Sequence, residues 1–274
     1  MINSLENSKI KFSYSRINTF NNCPQKYKIQ YVDLIKSSDD SIEAFMGRIV
    51  HQVLENLYLI NDLALQYITF DKIIEMYDKA WIENWHTNIY ISNFKFNPKT
   101  YNKRTVYMIG IECLKNYYNS FNQSGYFKQN VYAVEFPFEI NIGKYCFRGF
   151  IDRIDKDIDG SINIIDYKTS SKSKSSNQAI NDMQMAIYGI AVRKMIKDYK
   201  EINSSLFYLR NKDFILFKHT NEKIALLEKK ILNKIDAIIN TSHYNAKESI
   251  LCEWCYYWEN CDIKVTNNPS IKLQ

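Results

Sequence analysis

The sequence predicts a mixed α/β (α+β) fold, and three features of its pattern carry that prediction. Seven Gly and four Pro in 274 residues are few, which favours long helices over a turn-rich all-β chain. Between Val131 and Lys168 apolar and polar residues alternate around short turns, the mark of a strand meander. On both sides of that meander apolar residues recur at i, i+3 and i+4, the stripe of amphipathic helices.

The bulk composition sets the frame. With 46% hydrophobic and 24% charged residues the chain can bury a sizeable core, and its length suits one domain over residues 1–274. The net charge of +6 is compatible with a polyanionic partner without requiring one. The opening stretch, MINSLENSKIKF, lacks the apolar centre of a secretory signal, and no later stretch approaches the roughly 18 apolar residues of a membrane span. A cytoplasmic, reducing location without a membrane partner is therefore expected. In that setting six cysteines read better as metal ligands or buried apolar side chains than as disulfides.

Taken in order, Ser13 and Ser15 offer caps to a short helix from Arg16 to Asn22, and Pro24 suits the first turn of a second, Gln25 to Val32. Ile42 to Ile60 is strongly helical, with Ile49, Val50, Val53, Leu54 and Leu57 on its stripe. His51 lies one residue off that stripe; a lone histidine there is usually a partly buried side chain. Gly47, one turn earlier, would let a backbone or ligand approach the helix. From Phe70 to Phe121 the pattern gives helices broken around Asn93–Pro98, with Tyr77, Trp81 and Trp85 and then Val106, Ile109, Cys113 and Tyr117 at core spacing. Residues from about 62 to 125 are read as a helical insert.

Strands follow at Val131–Ile140, Tyr145–Asp155 and Ser161–Lys168, turning at Asn141–Gly143 and Asp159–Gly160. Then come a helix from Gln178 to about Lys197, strands Ser205–Arg210 and Phe214–His219, and an amphipathic helix Glu222–Asn240.

The stretch Tyr145–Lys168 carries the chemistry. Ile162, Ile164, Asp166 and Lys168 share one strand face, because side chains repeat every two residues. An acid and a lysine prolonging a buried isoleucine face can be a mere ion pair closing the strand. Asp152, sharing its face with Phe150 and Ile154, changes that reading, since a hairpin carries it towards Asp166. Two carboxylates converging beside a lysine repel unless a cation separates them. Glu135, facing with Val131 and Ala133, is a third acid within reach of the site. Gln184 and Tyr188 sit one helical turn apart and present polar groups on one face.

At the far end, Cys252 and Cys255 form a C-x2-C pair and Cys261 follows six residues later, a spacing suited to thiolate ligation of a metal. Cys23 beside Pro24 is the best fourth ligand, because Cys113 and Cys146 fall in helix and strand patterns that would bury them. Spacing alone does not separate zinc from iron–sulfur.

The set S-x-S-x-I-x-x-F-x-x-C-P-x-x-Y (Ser13–Tyr27), G-x-x-x-H (Gly47–His51, continuing through Leu54 and Glu55), G-x-I-D (Gly149–Asp152), D-Y-K (Asp166–Lys168), Q-x-x-x-Y (Gln184–Tyr188) and C-x2-C-x5-C (Cys252–Cys261) resembles the RecB-type branch of the PD-(D/E)XK nucleases. That branch includes the AddB nuclease domain and the iron–sulfur CRISPR-associated adaptation nucleases. The motifs occur in the family's order and span almost the whole chain, but none falls in Phe70–Phe121.

The resemblance implies a restriction-endonuclease-like core, about residues 130–220, with a central mixed sheet flanked by helices. It also implies cluster-binding segments at about 13–32 and 250–263. His51, Asp152, Asp166 and the backbone carbonyl of Tyr167 would then hold Mg²⁺ or Mn²⁺. Lys168 would hold or polarise the attacking water, Gln184 and Tyr188 would contact DNA or steady the site, and Glu135 has a less settled role. Cys23, Cys252, Cys255 and Cys261 would bind a 4Fe–4S cluster, zinc being the weaker candidate.

The implied activity is a metal-dependent DNA exonuclease on single-stranded or unwound ends, in repair, recombination or defence. With no G-x-x-x-x-G-K-S/T motif, unwinding would come from a helicase partner, or the chain would work with CRISPR adaptation proteins. A non-catalytic DNA-end-binding iron–sulfur module is the alternative. An inactive copy would be expected to lose an acid or the lysine, and all three are present. A zinc-stapled domain without nuclease activity is the third reading.

Overall fold

The computed structural model describes residues 10–60, 65, 67–122, 130–264 and 268–273. The limits drawn for the helical insert, 62 and 125, lie outside the described residues. A two-residue strand, β1 (Lys11–Phe12), precedes α1 (Tyr14–Asn22), whose N-cap Ser13 accepts from the Arg16 N–H at 3.2 Å. Pro24 opens α2 (Pro24–Tyr27), which passes into a π-turn over Lys28–Val32. Asp40–Ser41 is a second short strand, β2. Ser41 then caps α3 (Ile42–Leu59), which buries Ile49, Val50, Val53, Leu54 and Leu57 as the periodicity requires.

The insert is not wholly helical. Between α4 (Phe70–Asn84) and α5 (Lys103–Asn122) lies a strand, β3 (Ile89–Ser92), buried on both faces. It pairs in parallel with β2 and antiparallel with a C-terminal strand of three residues, Ser270–Lys272. Four apolar or small residues without alternation gave no strand signal. The partner strands are too short to read from sequence.

The main sheet follows. β4 (Val131–Ile142) and β5 (Tyr145–Lys156) form a long hairpin whose turn uses Gly143 at φ +56°, a left-handed conformation that favours glycine. β6 (Ile162–Lys168) pairs antiparallel with β5 and parallel with β7 (Ile202–Tyr208), and β8 (Asp213–Phe217) closes that edge. The single helix expected over Gln178–Lys197 is two, α6 (Ser176–Ile180) and α7 (Met183–Met195). Asp182 interrupts them by capping α7, its Oδ1 accepting from the Met185 N–H at 3.0 Å. The long helix α8 (Asn221–Asn240) and two 3₁₀ turns, Ile250–Trp254 and Trp258–Asn260, complete the order to β9 (Ser270–Lys272).

Helices cover both faces of this mixed sheet. On one, α7 and α8 pack Met185, Ile190, Leu227 and Ile231 against Phe147, Ile154, Ile162 and Ile164. On the other, α3, α4 and α5 pack against Ile165, Tyr167 and Phe207. β6 is therefore apolar on both sides, as expected of a strand with a parallel neighbour.

Two polar or crowded features brace the second layer. Arg153, 1% exposed, grips Asp155 through Nε at 2.5 Å and Nη2 at 2.9 Å. Its Nη1 donates to the hydroxyls of Tyr58 on α3 and Tyr117 on α5, and Tyr117 bonds Tyr167 on β6 at 3.2 Å. One guanidinium thus joins two helices and two strands. Where α4 crosses α5, Gly110 faces buried Tyr77 so closely that a Cβ would overlap its phenol.

Arg153→Ala strands Asp155 and the tyrosine hydroxyls in the interior; urea unfolding should show a loss of about 3 kcal/mol or more. Gly110→Ala forces Tyr77 aside and should cost about 1–3 kcal/mol in the same measurement.

Candidate functional site

The site lies where the sheet forks. β5 pairs with β4 along one edge, whereas its other edge is shared by β1 at Cys146–Phe147 and β6 at Arg153–Lys156. Among the described residues no strand pairs with residues 148–152 on that second edge. The Arg153–Ile165 pairing puts Asp152 across from Asp166, where the ladder ends. There the Asp152 carboxylate replaces a backbone partner, its Oδ2 accepting the Tyr167 N–H at 2.7 Å. Across β5, the pairs Val134–Arg153 and Phe136–Ile151 bracket Glu135 opposite Asp152. Glu135 has φ +43°, a strained setting for a side-chain-bearing residue.

His51 arrives from α3, held there by the helix's buried stripe. Its Nδ1 is 3.6 Å from Asp152 Oδ1. One ligand atom from each of His51, Glu135 and Asp152 lies within 4.8 Å of the others. Opposed ligands on Mg²⁺ stand about 4.2 Å apart, so this imidazole and two carboxylates could close on a hard divalent cation. Asp166 stands beside that trio rather than in it. Its Oδ2 is buried, with the Lys168 Nζ 2.5 Å away as its partner.

The electrostatics follow from crowding. Burial, with Asp152 beside it, raises the Glu135 carboxyl to about 7. Burial likewise pushes Asp166 up, against the pull of Lys168. Asp152 is held below the usual range: burial opposes this, but His51 and the Tyr167 N–H outweigh it. For His51 burial disfavours the imidazolium, yet Asp152 raises its pKa overall. Lys168 is raised too, burial being overcome by Asp166.

Lys168 also donates to Gln184 Oε1 at 2.9 Å, and Gln184 Nε2 donates to the Tyr188 hydroxyl at 2.8 Å. The turn of α7 that Asp182 starts therefore holds the lysine through Gln184. Tyr188 is buried, with its phenol raised by that burial.

The four cysteines singled out in the sequence line one cavity of about 270 Å³. Cys23 stands at the α1–α2 junction and the other three in and beside the 3₁₀ turns. Burial raises the Cys255 thiol, opposed by Lys26 and reinforced by Cys23 and Cys252. The Lys247 N–H faces Cys23 Sγ at 3.5 Å.

Three expectations need correction. Phe150 and Ile154 do not share Asp152's surroundings: Phe150 is 59% exposed, whereas Ile154 is fully buried in the same cluster as Ile151. Strict alternation fails here because the sheet forks at Asp152. Glu135 is likewise not a simple continuation of Val131 and Ala133, since a register shift separates those two. Cys146 is half-buried rather than enclosed, because it lies on the outward face of β5 opposite Asn141.

Two neighbours of the site lie within the quoted motifs but were not singled out as site residues. Tyr14 lies close enough to Asp166 and Lys168 for both to act on its phenol, whose pKa burial raises. Glu55, one turn beyond His51, adds to the rise of Glu135. The signals that could have found them were the position of Tyr14 between two serines and the i+4 spacing of Glu55 from His51.

Several known proteins resemble this chain. A subunit of an ATP-dependent helicase/deoxyribonuclease from Clostridium perfringens strain SM101 is 27% identical over 201 residues, 66% of this chain and 17% of that protein. Its counterpart in strain 13 is 26% identical over the same lengths. The chain thus spans 17% of the length of these curated relatives. A solved structure of a candidate exonuclease from Eubacterium rectale superposes with a TM-score of 0.51 at 12% identity, covering 93% of this chain and 90% of the other, which supports the fold. The family model of the PD-(D/E)XK nuclease superfamily matches residues 11–262, from β1 through the forked sheet to the last cysteine, and on that match the chain belongs to this superfamily.

Proposed function

We propose that the chain hydrolyses phosphodiester bonds in DNA with the help of Mg²⁺ or Mn²⁺, as an exonuclease on single-stranded or unwound ends in repair, recombination or defence. The observation that carries this is the convergence of His51, Glu135 and Asp152 within 4.8 Å beside the Asp166–Lys168 pair. In this reading His51, Asp152, Asp166 and the Tyr167 carbonyl hold the cation, and Glu135 joins them. Bound there, the cation would lower the pKa of water and offset charge on the phosphate.

The chain's own groups do the rest. Lys168, fixed between Asp166 and Gln184, presents a permanent ammonium to the attacking water and the phosphate oxygens. Gln184 and Tyr188 restrict its swing, so the charge need not be reorganised during the reaction. Against burial, His51 and then the Tyr167 N–H hold the Asp152 carboxyl below its usual range. The name of the curated relatives, which couples helicase with deoxyribonuclease, supports a helicase as partner.

The cysteine site is read as a 4Fe–4S site that staples the two ends of the domain. All four cysteines border one cavity of about 270 Å³, which gives four thiolates a common space for an inorganic group.

Labelled single-stranded DNA given Mg²⁺ or Mn²⁺ should be degraded by the wild type and not after chelation. Lys168→Ala should lower the rate about 100-fold or more. Equal rates would sink the mechanism, and tight DNA binding with no metal-stimulated cleavage would favour a non-catalytic end-binding module. Protein purified anaerobically should absorb near 400 nm, roughly where iron–sulfur clusters do and zinc sites do not. Cys255→Ser should lose that band and melt at lower temperature; unchanged melting would count against a staple.

A further inference from the structure

Beyond Gln184 and Tyr188 the cleft opens into a cavity of about 710 Å³ bordered by Ser13, Ser15, Glu139, Arg148 and Phe150. Arg148 also borders an adjoining cavity of about 540 Å³, whose wall includes Lys11, Arg16 and Tyr31. Arg148 is the residue the two cavities share.

Arg16 is tied into the fold, donating to the Tyr27 hydroxyl at 3.1 Å and the Lys11 carbonyl at 3.5 Å, whereas the side chains of Phe150 and Arg148 stand exposed. Phe150 stands two residues before Asp152 on the strand edge that the fork leaves unpaired, and its ring is 59% exposed. The side chain of Arg148, another two residues back, makes no hydrogen bond or ion pair among the described residues. Arg16 lies 4.7 Å over the Tyr31 ring and 5.5 Å from Phe12 and Tyr27, and among the described residues no carboxylate pairs with it. Glu139 is the acid on this face; Lys11 pairs with it at 2.7 Å, and Arg148 stands directly across the ladder from it and shares its charge. Lys11, Arg16 and Arg148 against this one carboxylate leave the lining of the two cavities net positive beside an exposed aromatic ring.

We propose that this face is a subsite for a single strand of nucleic acid. A phosphate next to the scissile one meets Arg148, its base stacks on Phe150, and the strand continues towards Arg16 and Tyr31. A base in a duplex keeps its faces covered by its neighbours, so a ring standing at the cleft mouth selects an unpaired strand. The inference rests on the nuclease reading and names the residues that would select its single-stranded substrate.

The test is binding without turnover: fluorescence anisotropy of labelled oligothymidylate, about twelve nucleotides long, with the full chain in Ca²⁺. Phe150→Ala should weaken binding about tenfold while keeping its salt dependence. Arg148→Ala should weaken it and reduce the slope of log affinity against log salt by about 0.7, the share of one phosphate contact. Both side chains are exposed, so neither change threatens the fold, and thermal melting checks this. Affinities within twofold of wild type would overturn the subsite. So would an equal loss for a blunt duplex, which offers no free base to stack. The nuclease reading is tested apart, by wild-type hydrolysis of bis(p-nitrophenyl) phosphate in Mn²⁺. A wild type that binds through Phe150 and Arg148 yet leaves this diester intact keeps the subsite and loses the nuclease reading.

Discussion

Three carboxylates brought together out of bulk water are the constraint on which the rest of the structure depends. Asp152, Asp166 and Glu135 cannot all ionise at close range without compensating charge, because burial and mutual repulsion both favour their protonated forms. The fold answers each differently. Asp152 keeps its charge through His51 and the Tyr167 N–H, and Asp166 is matched by Lys168. Glu135 is left with its carboxyl raised to about 7 and its backbone in a left-handed conformation. A polar cluster this strained, at the mouth of a cleft, is poorly explained by stability. A divalent cation held there, as proposed, would offset that charge.

Keeping those groups in register is the work of side chains that never reach the cleft. Arg153 follows Asp152 directly and is buried in the layer formed by α3 and α5. Through Tyr58 it fixes the helix that carries His51, and through Tyr117 and Tyr167 it fixes the strand that carries Asp166 and Lys168. The segment between Phe70 and Phe121, which carries no motif of the family, thereby bears on the site: Tyr117 belongs to it. Its strand β3 also receives β9, so residues far apart in sequence close a second, smaller sheet. The cysteine segment makes a similar long-range tie, with Tyr257 donating to the Ile35 carbonyl at 2.8 Å and Trp258 buried beside the thiols.

Much of the architecture was legible in advance where a period was long and uninterrupted. α3, α8 and the β4–β5–β6 meander stand within a few residues of where the pattern puts them. What escaped was short or irregular: β1, β2 and β9 have two or three residues each, too few for any period to register. The break between α6 and α7 was written only in Asp182, whose capping role is indistinguishable from an ordinary helical acid until the backbone turns.

The candidate site divides along the same line. The residue types, the face shared by Asp166 and Lys168, the one-turn spacing of Gln184 and Tyr188, and the thiol spacing of Cys252, Cys255 and Cys261 were already set by the order of residues. All of these are local relations, which a chain carries wherever it folds. It took the packing of distant segments to make Glu135, rather than Asp166, close the tight trio with His51 and Asp152. That packing alone opened the fork that leaves Phe150 and Arg148 facing solvent, and it alone set Arg153 behind the site. Those outcomes depend on where strands part and helices cross, and these are set by packing between segments a hundred residues apart.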